Sequence, residues 1–183
     1  TGGNIHLESR NIFLQDSELE TKVAEQGVSG NITVDASNQF ELSGSRLSTS
    51  LEPGATGSGG NITVDAGEIS LLDFSLIDTA TFGEGDAGNV ELTSTIGPIS
   101  FQDSNVFSIT GGSGNAGDVK LRSNSSIALN GQSSVNTAAS LGASGEGGTI
   151  TIDASERLRI IGPGVSEPTS LALGNRGPEF SEG

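Results

Sequence analysis

The sequence predicts an all-β fold, a right-handed parallel β-helix (solenoid) of about six coils, each of 27–31 residues with three short strands. One phrase, a glycine and a polar residue followed by two aliphatic residues one position apart, recurs six times. Aliphatic and polar residues alternate within each period, which is typical of strands and not of helices. Glycine-rich segments of variable length fall at one place in the period, as expected of a surface turn.

The recurring phrase predicts the first strand of each coil. It is GNITV at Gly30 and again at Gly60, and the predicted coils start near residues 3, 30, 60, 88, 117 and 148. Because side chains of a strand alternate between its two faces, both aliphatic residues of a phrase point to the same side. The predicted inward pairs are Ile5/Leu7, Ile32/Val34, Ile62/Val64, Val90/Leu92, Val119/Leu121 and Ile150/Ile152.

Two further strands follow in each coil. The second begins 7 to 9 residues after the first, and the third has the pattern Ser-x-aliphatic-x-Thr/Ser. The predicted inward residues of the second strand are Ile12/Leu14, Phe40/Leu42, Ile69/Leu71, Ile99/Phe101, Ile127/Leu129 and Leu158/Ile160, and the third strand has Ser17-Leu19-Thr21, Ser45-Leu47-Thr49, Ser75-Ile77-Thr79, Ser104-Val106-Ser108 and Ser133-Val135-Thr137.

Strands this short bury their aliphatic residues only if successive coils stack at about 4.8 Å, with like residues above and below. An antiparallel sheet of hairpins is the alternative, but it requires two strands per local turn, whereas the period contains three. Small residues after the first strand are predicted to point inward at a tight corner: Ser9, Ala36, Ala66, Ser94, Ser123 and Ala154.

The repeat divides the chain into two parts. Residues 1–161 form the predicted solenoid, and residues 162–183, which contain Pro163, Pro168 and Pro178, form an irregular segment leading toward a further coil. The first repeat starts almost at residue 1, so we expect an interior slice of a longer array. Uncovered end coils expose apolar residues and unpaired backbone groups, which predicts end-to-end self-association.

Composition and charge exclude several functions. The 183 residues include 23 acidic and 8 basic ones, a net charge of −15, which disfavours nucleic acid and anionic lipid as partners. No apolar run approaches the roughly 20 residues of a membrane span, so membrane insertion is not expected. Cysteine is absent, which excludes disulfides and thiolate metal sites.

The repeats resemble those of filamentous-haemagglutinin-like exoproteins of the two-partner secretion type, especially large cyanobacterial members. The resemblance covers residues 3 to about 161, and its most specific pieces are GNITVDA from Gly30, GGNITVDAG from Gly59 and GGTITIDAS from Gly147. It implies a long secreted β-helix, exported unfolded through an outer-membrane secretion partner and held at the bacterial cell surface.

Asp35 and Asp65 are the candidate residues for a metal site, here for calcium. They follow the first strand in consecutive coils and should lie side by side on the outer surface. Glycine-rich repeats that bind calcium recur every nine residues, whereas this period is about 29 residues, so the required paired turns are missing. Two carboxylates about 4.8 Å apart in water repel each other by only about 0.9 kcal/mol. We therefore favour a solvated acidic ladder and expect no cofactor.

Other polar residues have structural explanations. One polar residue, most often Asn, stands at the entrance of the first strand in each coil, and this series predicts a hydrogen-bonded ladder along the solenoid axis. The inward Ser and Thr residues of the third strand are interpreted as small corner residues and not as nucleophiles, and His6 is interpreted as a solvated surface residue. The entrance series is Asn4, Asn31, Asn61, Asn89, Asp118 and Thr149.

Outward apolar residues near the second and third strands leave two interpretations open. They form a contact patch, or a local bulge around LLDFSLID turns some of them inward. The residues are Phe13, Leu72, Phe74, Leu76 and Phe107.

The predicted function is a structural rod or adhesive segment of a large secreted bacterial surface protein or fibre, which binds a cell-surface glycan or protein and has no enzymatic activity. The alternative is a carbohydrate-active β-helix enzyme or a glycan-binding module, whose site would combine carboxylates, basic residues and aromatic side chains in a cleft. Ice binding is disfavoured, because the rank begun by Thr33 and Thr63 is interrupted by Glu91 and Lys120.

Overall fold

The computed structural model describes residues 2–140 and 143–162, together with the backbone of residues 164–166, 170–173 and 179–182. The described residues contain strands and turns but no helix, and hence no helix that is long and apolar enough to cross a membrane. The strands are β1 (Ile5–Gln15), β2 (Glu18–Val23), β3 (Gln26–Val28), β4 (Ile32–Ser43), β5 (Arg46–Leu51), β6 (Thr56–Ser58), β7 (Ile62–Leu72), β8 (Leu76–Thr81), β9 (Val90–Ser94), β10 (Ile99–Gln102), β11 (Asn105–Thr110), β12 (Val119–Ser123), β13 (Ser126–Asn130), β14 (Ser134–Ala139), β15 (Thr149–Ala154), β16 (Arg157–Ile160), β17 (Gly164–Ser166), β18 (Ser170–Leu173) and β19 (Glu179–Glu182).

The strands stack into a parallel β-solenoid, which confirms the predicted fold class. An 11-stranded sheet contains the first and second strand positions, a 6-stranded sheet contains the third, and β3 and β6 form a small third sheet. The sequence predicted about six coils, and the chain completes about five turns from β1 to β15, because six occurrences of the phrase enclose five full turns.

The pairing between described strands is parallel throughout, so the antiparallel alternative is wrong. The Asn-Gly dipeptide Asn130-Gly131 does not close a hairpin, because the strands on either side of it, β13 and β14, belong to different sheets. Beyond residue 161, where the sequence departs from the repeat, the backbone still pairs. Strands β17, β18 and β19 lie beside β14, β15 and β16, respectively. Pro163, Pro168 and Pro178 lie outside the described residues.

The first three coils differ from the prediction of three separate strands. In each, the first and second strands merge into one strand of 11 or 12 residues. The register shifts between Ser9 and Asn11, so the corner is a bulge that does not interrupt the strand. In the fourth coil β9 and β10 are separate, because the corner is longer and contains Pro98, which lacks a backbone N–H.

The alternating aliphatic residues form one continuous core, as predicted. Ile62 and Val64, for example, are fully buried, and each faces an equivalent residue in the coils on both sides. Side chains of the first coil are less buried, since only one described coil covers them. Ser9, predicted to point inward, is exposed for this reason. The half-buried residues that pack against the core are Ile5, Leu7, Leu14, Leu19 and Ile160.

The repeat glycine is required by close contact between coils. A Cβ atom at Gly60 would overlap the carbonyl oxygen of Gly30, and one at Gly88 would overlap that of Gly60. Other glycines supply positive φ angles, as at Gly57, where φ is 147°. At the repeat glycine the reason is therefore the missing side chain, which lets the backbones of successive coils approach.

Candidate functional site

The predicted aspartate pair lies on the outer side of the first strand position. Asp35 and Asp65 are Cα partners in adjacent coils, and Glu8 is the partner of Asp35 on the other side. We call Glu8, Asp35 and Asp65 the acidic ladder. Together with Arg10 and Thr95, these residues line an open groove of about 550 Å³ at the corner between the first and second strand positions. The register therefore brings the two candidates together as the sequence predicted.

The charges of the acidic ladder are only partly compensated. Partial burial raises the pKa of Asp65, and the like charges of Asp35 and Glu91 raise it further, whereas a hydrogen bond from Thr93 lowers it. Nδ1 of His6 lies 3.6 Å from Oδ2 of Asp35, an ion pair only when the imidazole is protonated. In the described part of the chain, no group of three or more His, Asp or Glu residues could hold a metal ion. The ladder is an anionic surface, and calcium binding stays a hypothesis.

The predicted ladder at the entrance of the first strand is present. Oδ1 of each member accepts a hydrogen bond from the backbone N–H of the next member, one coil further along the chain. The bonds are therefore between side chain and backbone and not between stacked amides. The five distances are 2.9 Å for Asn4 to Asn31, 2.9 Å for Asn31 to Asn61, 2.8 Å for Asn61 to Asn89, 2.8 Å for Asn89 to Asp118 and 2.7 Å for Asp118 to Thr149.

The serine at the start of the third strand forms a second ladder, which runs in the opposite direction. The backbone N–H of Ser45 donates to Oγ of Ser75, 3.2 Å away, and Oγ of Ser75 donates in turn to the carbonyl oxygen of Leu72 at 2.6 Å. These hydroxyls are engaged by backbone groups, so they serve the stacking of the coils and not nucleophilic chemistry. The ladder contains Ser17, Ser45, Ser75, Ser104 and Ser133.

The threonine rank on the first strand position is interrupted as predicted. Thr33 and Thr63 are partners, but Glu91 follows Thr63 in the next coil. Nζ of Lys120 lies 3.3 Å from Oε1 of Glu91 and forms an ion pair with it. A regular hydroxyl surface is therefore confined to two coils.

A second groove, which the sequence did not predict, lies at the corner between the second and third strand positions. One of its lining residues is Phe74, which is 76% exposed and has a φ of 62°. The left-handed conformation costs a residue with a side chain about 1–2 kcal/mol, so this aromatic residue is held in a strained position. Asp16, Glu18 and Arg46 also line the groove, which has a volume of about 520 Å³.

Arg46 connects three successive coils beside this groove. Its Nε lies 2.8 Å from Oδ1 of the buried Asp78, and its Nη2 lies 2.9 Å from Oδ2 of the same carboxylate. Nη1 is 3.3 Å from Oε1 of Glu18. The hydrogen bond with Asp78 is the main reason why the pKa of Arg46 is raised. The groove thus combines an exposed aromatic ring with fixed carboxylates and a guanidinium group.

The predicted apolar set does not form one continuous patch among the described residues. Phe13 lies beside Glu41, and Phe107 lies between Asp78 and Asn136. The bulge considered for LLDFSLID exists, since Asp73 and Phe74 both have positive φ, but it leaves Phe74 outside. All five members are exposed or half-buried: Phe13, Leu72, Phe74, Leu76 and Phe107.

Comparisons of this chain with protein-family models, with curated proteins and with solved structures found no match. The resemblance carried by the GNITVDA repeats therefore stays a prediction.

Proposed function

We propose that this chain is a segment of a structural rod that spaces or presents adhesive surfaces on a secreted bacterial surface protein or fibre. One observation carries the proposal: each coil binds the next through the same polar positions, as in the bond from Asn61 to Asn31 and that from Ser45 to Ser75. Such contacts can be repeated indefinitely along one axis. They suit a chain whose role is to extend.

The proposed location is the bacterial cell surface, reached by export through an outer-membrane secretion partner. The support is the resemblance of the GNITVDA repeats and the absence of cysteine, which is compatible with export of an unfolded chain. The net charge of −15 favours solubility outside the cell and makes nucleic acid an unsuitable partner.

A second candidate function is glycan binding at the Phe74 groove. Apolar faces of sugar rings pack on aromatic rings, and sugar hydroxyls form hydrogen bonds with carboxylates and guanidinium groups. Phe74 offers the ring, and Asp16, Glu18 and Arg46 offer the polar groups. We propose binding without catalysis, because Arg46 already engages both Glu18 and Asp78.

The test is a screen of the whole chain against an array of glycans and matrix proteins. In Phe74→Asn the ring is lost, but asparagine tolerates the left-handed backbone, so the fold is retained. Phe13→Asn is the matched control, since Phe13 is 58% exposed and lies outside the groove.

We expect glycan binding that is lost in Phe74→Asn and kept in Phe13→Asn. Binding to matrix proteins alone would support the adhesive rod and reject the glycan groove. If the chain bound no member of either class, the adhesive part of the proposal would be wrong.

A further inference from the structure

The Phe74 groove extends over three successive coils at the corner between the second and third strand positions. Asp16 occupies this corner in the first coil, Gly44 in the second, and Asp73 and Phe74 in the third. Gly44 has no side chain, and Oδ1 of Asp16 lies 2.8 Å from the position that a Cβ atom on Gly44 would take. The carboxylate of Asp16 therefore lies over the second coil, on the side toward Phe74.

The charge of the groove is negative. Four carboxylates and one guanidinium group lie in the groove or directly beside it, which gives a net charge of −3. The carboxylates are those of Asp16, Glu18, Asp73 and Asp78, and the guanidinium group is that of Arg46. An acidic sugar, such as a uronic acid or a sulfated sugar, would meet a potential of its own sign.

Arg46 does not offer a free positive charge to such a sugar. Its Nε and Nη2 lie 2.8 and 2.9 Å from the two carboxylate oxygens of the buried Asp78, and its Nη1 lies 3.3 Å from Oε1 of Glu18. An anionic ligand would have to break the pair with Asp78, which would leave a buried carboxylate without its partner. The groove is therefore closed to anionic ligands.

Asp16 is free to bind a cation. Its side chain is exposed, and it forms no ion pair with any residue that the structure describes. A hydrogen bond from an ammonium group to a carboxylate is stronger than one between neutral groups. Phe74 adds two attractions, because an apolar ring face packs on an aromatic ring and because a cation is attracted to the face of that ring.

We propose that the Phe74 groove binds amino sugars, with the free ammonium group beside Asp16 and Glu18 and the apolar face of the sugar ring on Phe74. This inference rests on the glycan-binding function proposed above and names the class of glycan. An N-acetylated sugar has the same ring without the positive charge, so it binds more weakly. A lysine side chain has the ammonium group but no ring face to pack on Phe74.

The test is calorimetric titration of the whole chain with a short oligomer of β-1,4-linked glucosamine, in mildly acidic buffer that keeps the amino groups protonated. The comparison ligands are the fully N-acetylated oligomer and an oligomer of galacturonic acid, both of the same length. A lysine-containing peptide of the same positive charge distinguishes a glycan from a protein ligand.

Two variants remove the proposed contacts. They are Asp16→Asn and Phe74→Asn, at positions where φ is 47° and 62° and where asparagine tolerates the left-handed backbone. The matched control is Asp86→Asn, which removes the same charge at an exposed position outside the groove. It keeps the oxygen that accepts a hydrogen bond from the backbone N–H of Asn115. Circular dichroism first confirms that all variants retain strand structure.

We expect the glucosamine oligomer to bind at least about tenfold more tightly than the N-acetylated one, because its bond to Asp16 is charged. The galacturonic acid oligomer should not bind. Asp16→Asn should weaken binding of the glucosamine oligomer at least about tenfold and leave binding of the N-acetylated oligomer unchanged. Phe74→Asn should lose both ligands, and Asp86→Asn should bind as the wild type does.

Four results would overturn the proposal. Equal affinity for both oligomers, lost in Phe74→Asn, would keep the glycan groove but reject its preference for amino sugars. Equal weakening by Asp16→Asn and Asp86→Asn would mean that only the net charge attracts the ligand. Binding of the peptide but of neither sugar, lost in Asp16→Asn, would make the groove a peptide site. Binding of no ligand would reject the glycan groove itself.

Discussion

Oδ1 of Asn31 accepts a hydrogen bond from the backbone N–H of Asn61, 2.9 Å away in the next coil. In the following coil Oδ1 of Asn61 accepts from Asn89 in the same way. The side chain at the entrance of these first strands therefore accepts a hydrogen bond from the backbone N–H of the equivalent residue in the next coil. The bond lies at the corner where the pairing of the sheet begins. The same polar position in successive coils therefore contributes one hydrogen bond to each coil-to-coil contact.

Removal of one acceptor from this ladder should weaken the fold modestly. In Asn61→Ala the N–H of Asn89 loses its partner, and because Asn89 is exposed, water replaces part of the bond. We expect a loss of about 0.5–1.5 kcal/mol in the free energy of unfolding by urea. Asn61→Asp is the control: it keeps the acceptor, as Asp118 does in its own coil. Equal destabilisation by both substitutions would show that the acceptor is unimportant.

Substitution of the repeat glycine should be far more damaging. A Cβ in Gly60→Ala overlaps the backbone of Gly30, which can yield only if the coils separate. We expect a loss of at least about 2–3 kcal/mol. Gly3 occupies the same place in the first repeat, but a Cβ there has no atom within 4 Å, so Gly3→Ala should change stability by less than about 0.5 kcal/mol. Thermal unfolding of both variants measures the contrast, and similar losses would refute close approach as the reason for the glycine.

Two threonines of β8 should respond to valine with opposite signs. Both are fully buried, but Oγ1 of Thr79 donates to the carbonyl oxygen of Gly88 at 2.6 Å, whereas Oγ1 of Thr81 has no hydrogen-bond partner. Thr79→Val should destabilise the chain by about 1 kcal/mol, and Thr81→Val should stabilise it by a similar amount. Each variant is the control for the other in chemical unfolding. A loss of stability in Thr81→Val would mean that its hydroxyl is bonded in solution.

Asp65→Asn should stabilise the chain at neutral pH. The pKa of Asp65 is raised in the folded state, mainly by partial burial, so the folded chain binds the proton more tightly than the unfolded one. As the pH falls, Asp65 therefore takes up its proton in the folded chain first, and the free energy of unfolding increases. This gain is complete once the pH is below the pKa of the unfolded state, which is about 3.9. The advantage of Asp65→Asn should be present at pH 7 and disappear below about pH 4.

Urea unfolding at a series of pH values, with chelator and with millimolar calcium, tests this prediction and the calcium hypothesis together. The acidic ladder predicts the same stability of the wild type in both solutions. Stabilisation of the wild type by calcium that is absent in Asp65→Asn would establish a cation site instead, because a ligand stabilises the state that binds it.

Alternation of side chains along the strands made most of the fold predictable from the sequence. The inward residues Ile62 and Val64 could be identified, because a period of two assigns each residue to a face. The reason for the repeat glycine could not be predicted, since the contact of Gly60 with Gly30 exists only once the coils are stacked. The burial of Ser9 was predicted wrongly for a related reason, because it depends on coils both above and below.

The candidate sites, like the fold, could be predicted from the sequence only in part. The adjacency of Asp35 and Asp65 could be predicted, since both end the same GNITVD phrase and the register repeats it. The Phe74 groove could not, because it depends on an extra residue at one corner. The pairing of Arg46 with the buried Asp78, 32 residues further along the chain, could not be predicted from the sequence either. The sequence held one signal for the Phe74 groove, the length of the corner before the third strand. This corner is LDFS at residues 72–75, which is one residue longer than SGS at residues 43–45 in the preceding coil.

The most direct test of the in-register solenoid is disulfide formation between engineered cysteines, which the absence of native cysteine makes unambiguous. Thr33 and Thr63 are Cα partners in adjacent coils, and stacked coils about 4.8 Å apart suit the disulfide range of about 4.4–6.8 Å between Cα atoms. His6 and Thr63 lie in the same column two coils apart, at about 9.6 Å. We predict that Thr33→Cys/Thr63→Cys forms an intramolecular disulfide under mild oxidation with native stability, whereas His6→Cys/Thr63→Cys does not. A disulfide in the second variant but not in the first would contradict the in-register stacking of the coils.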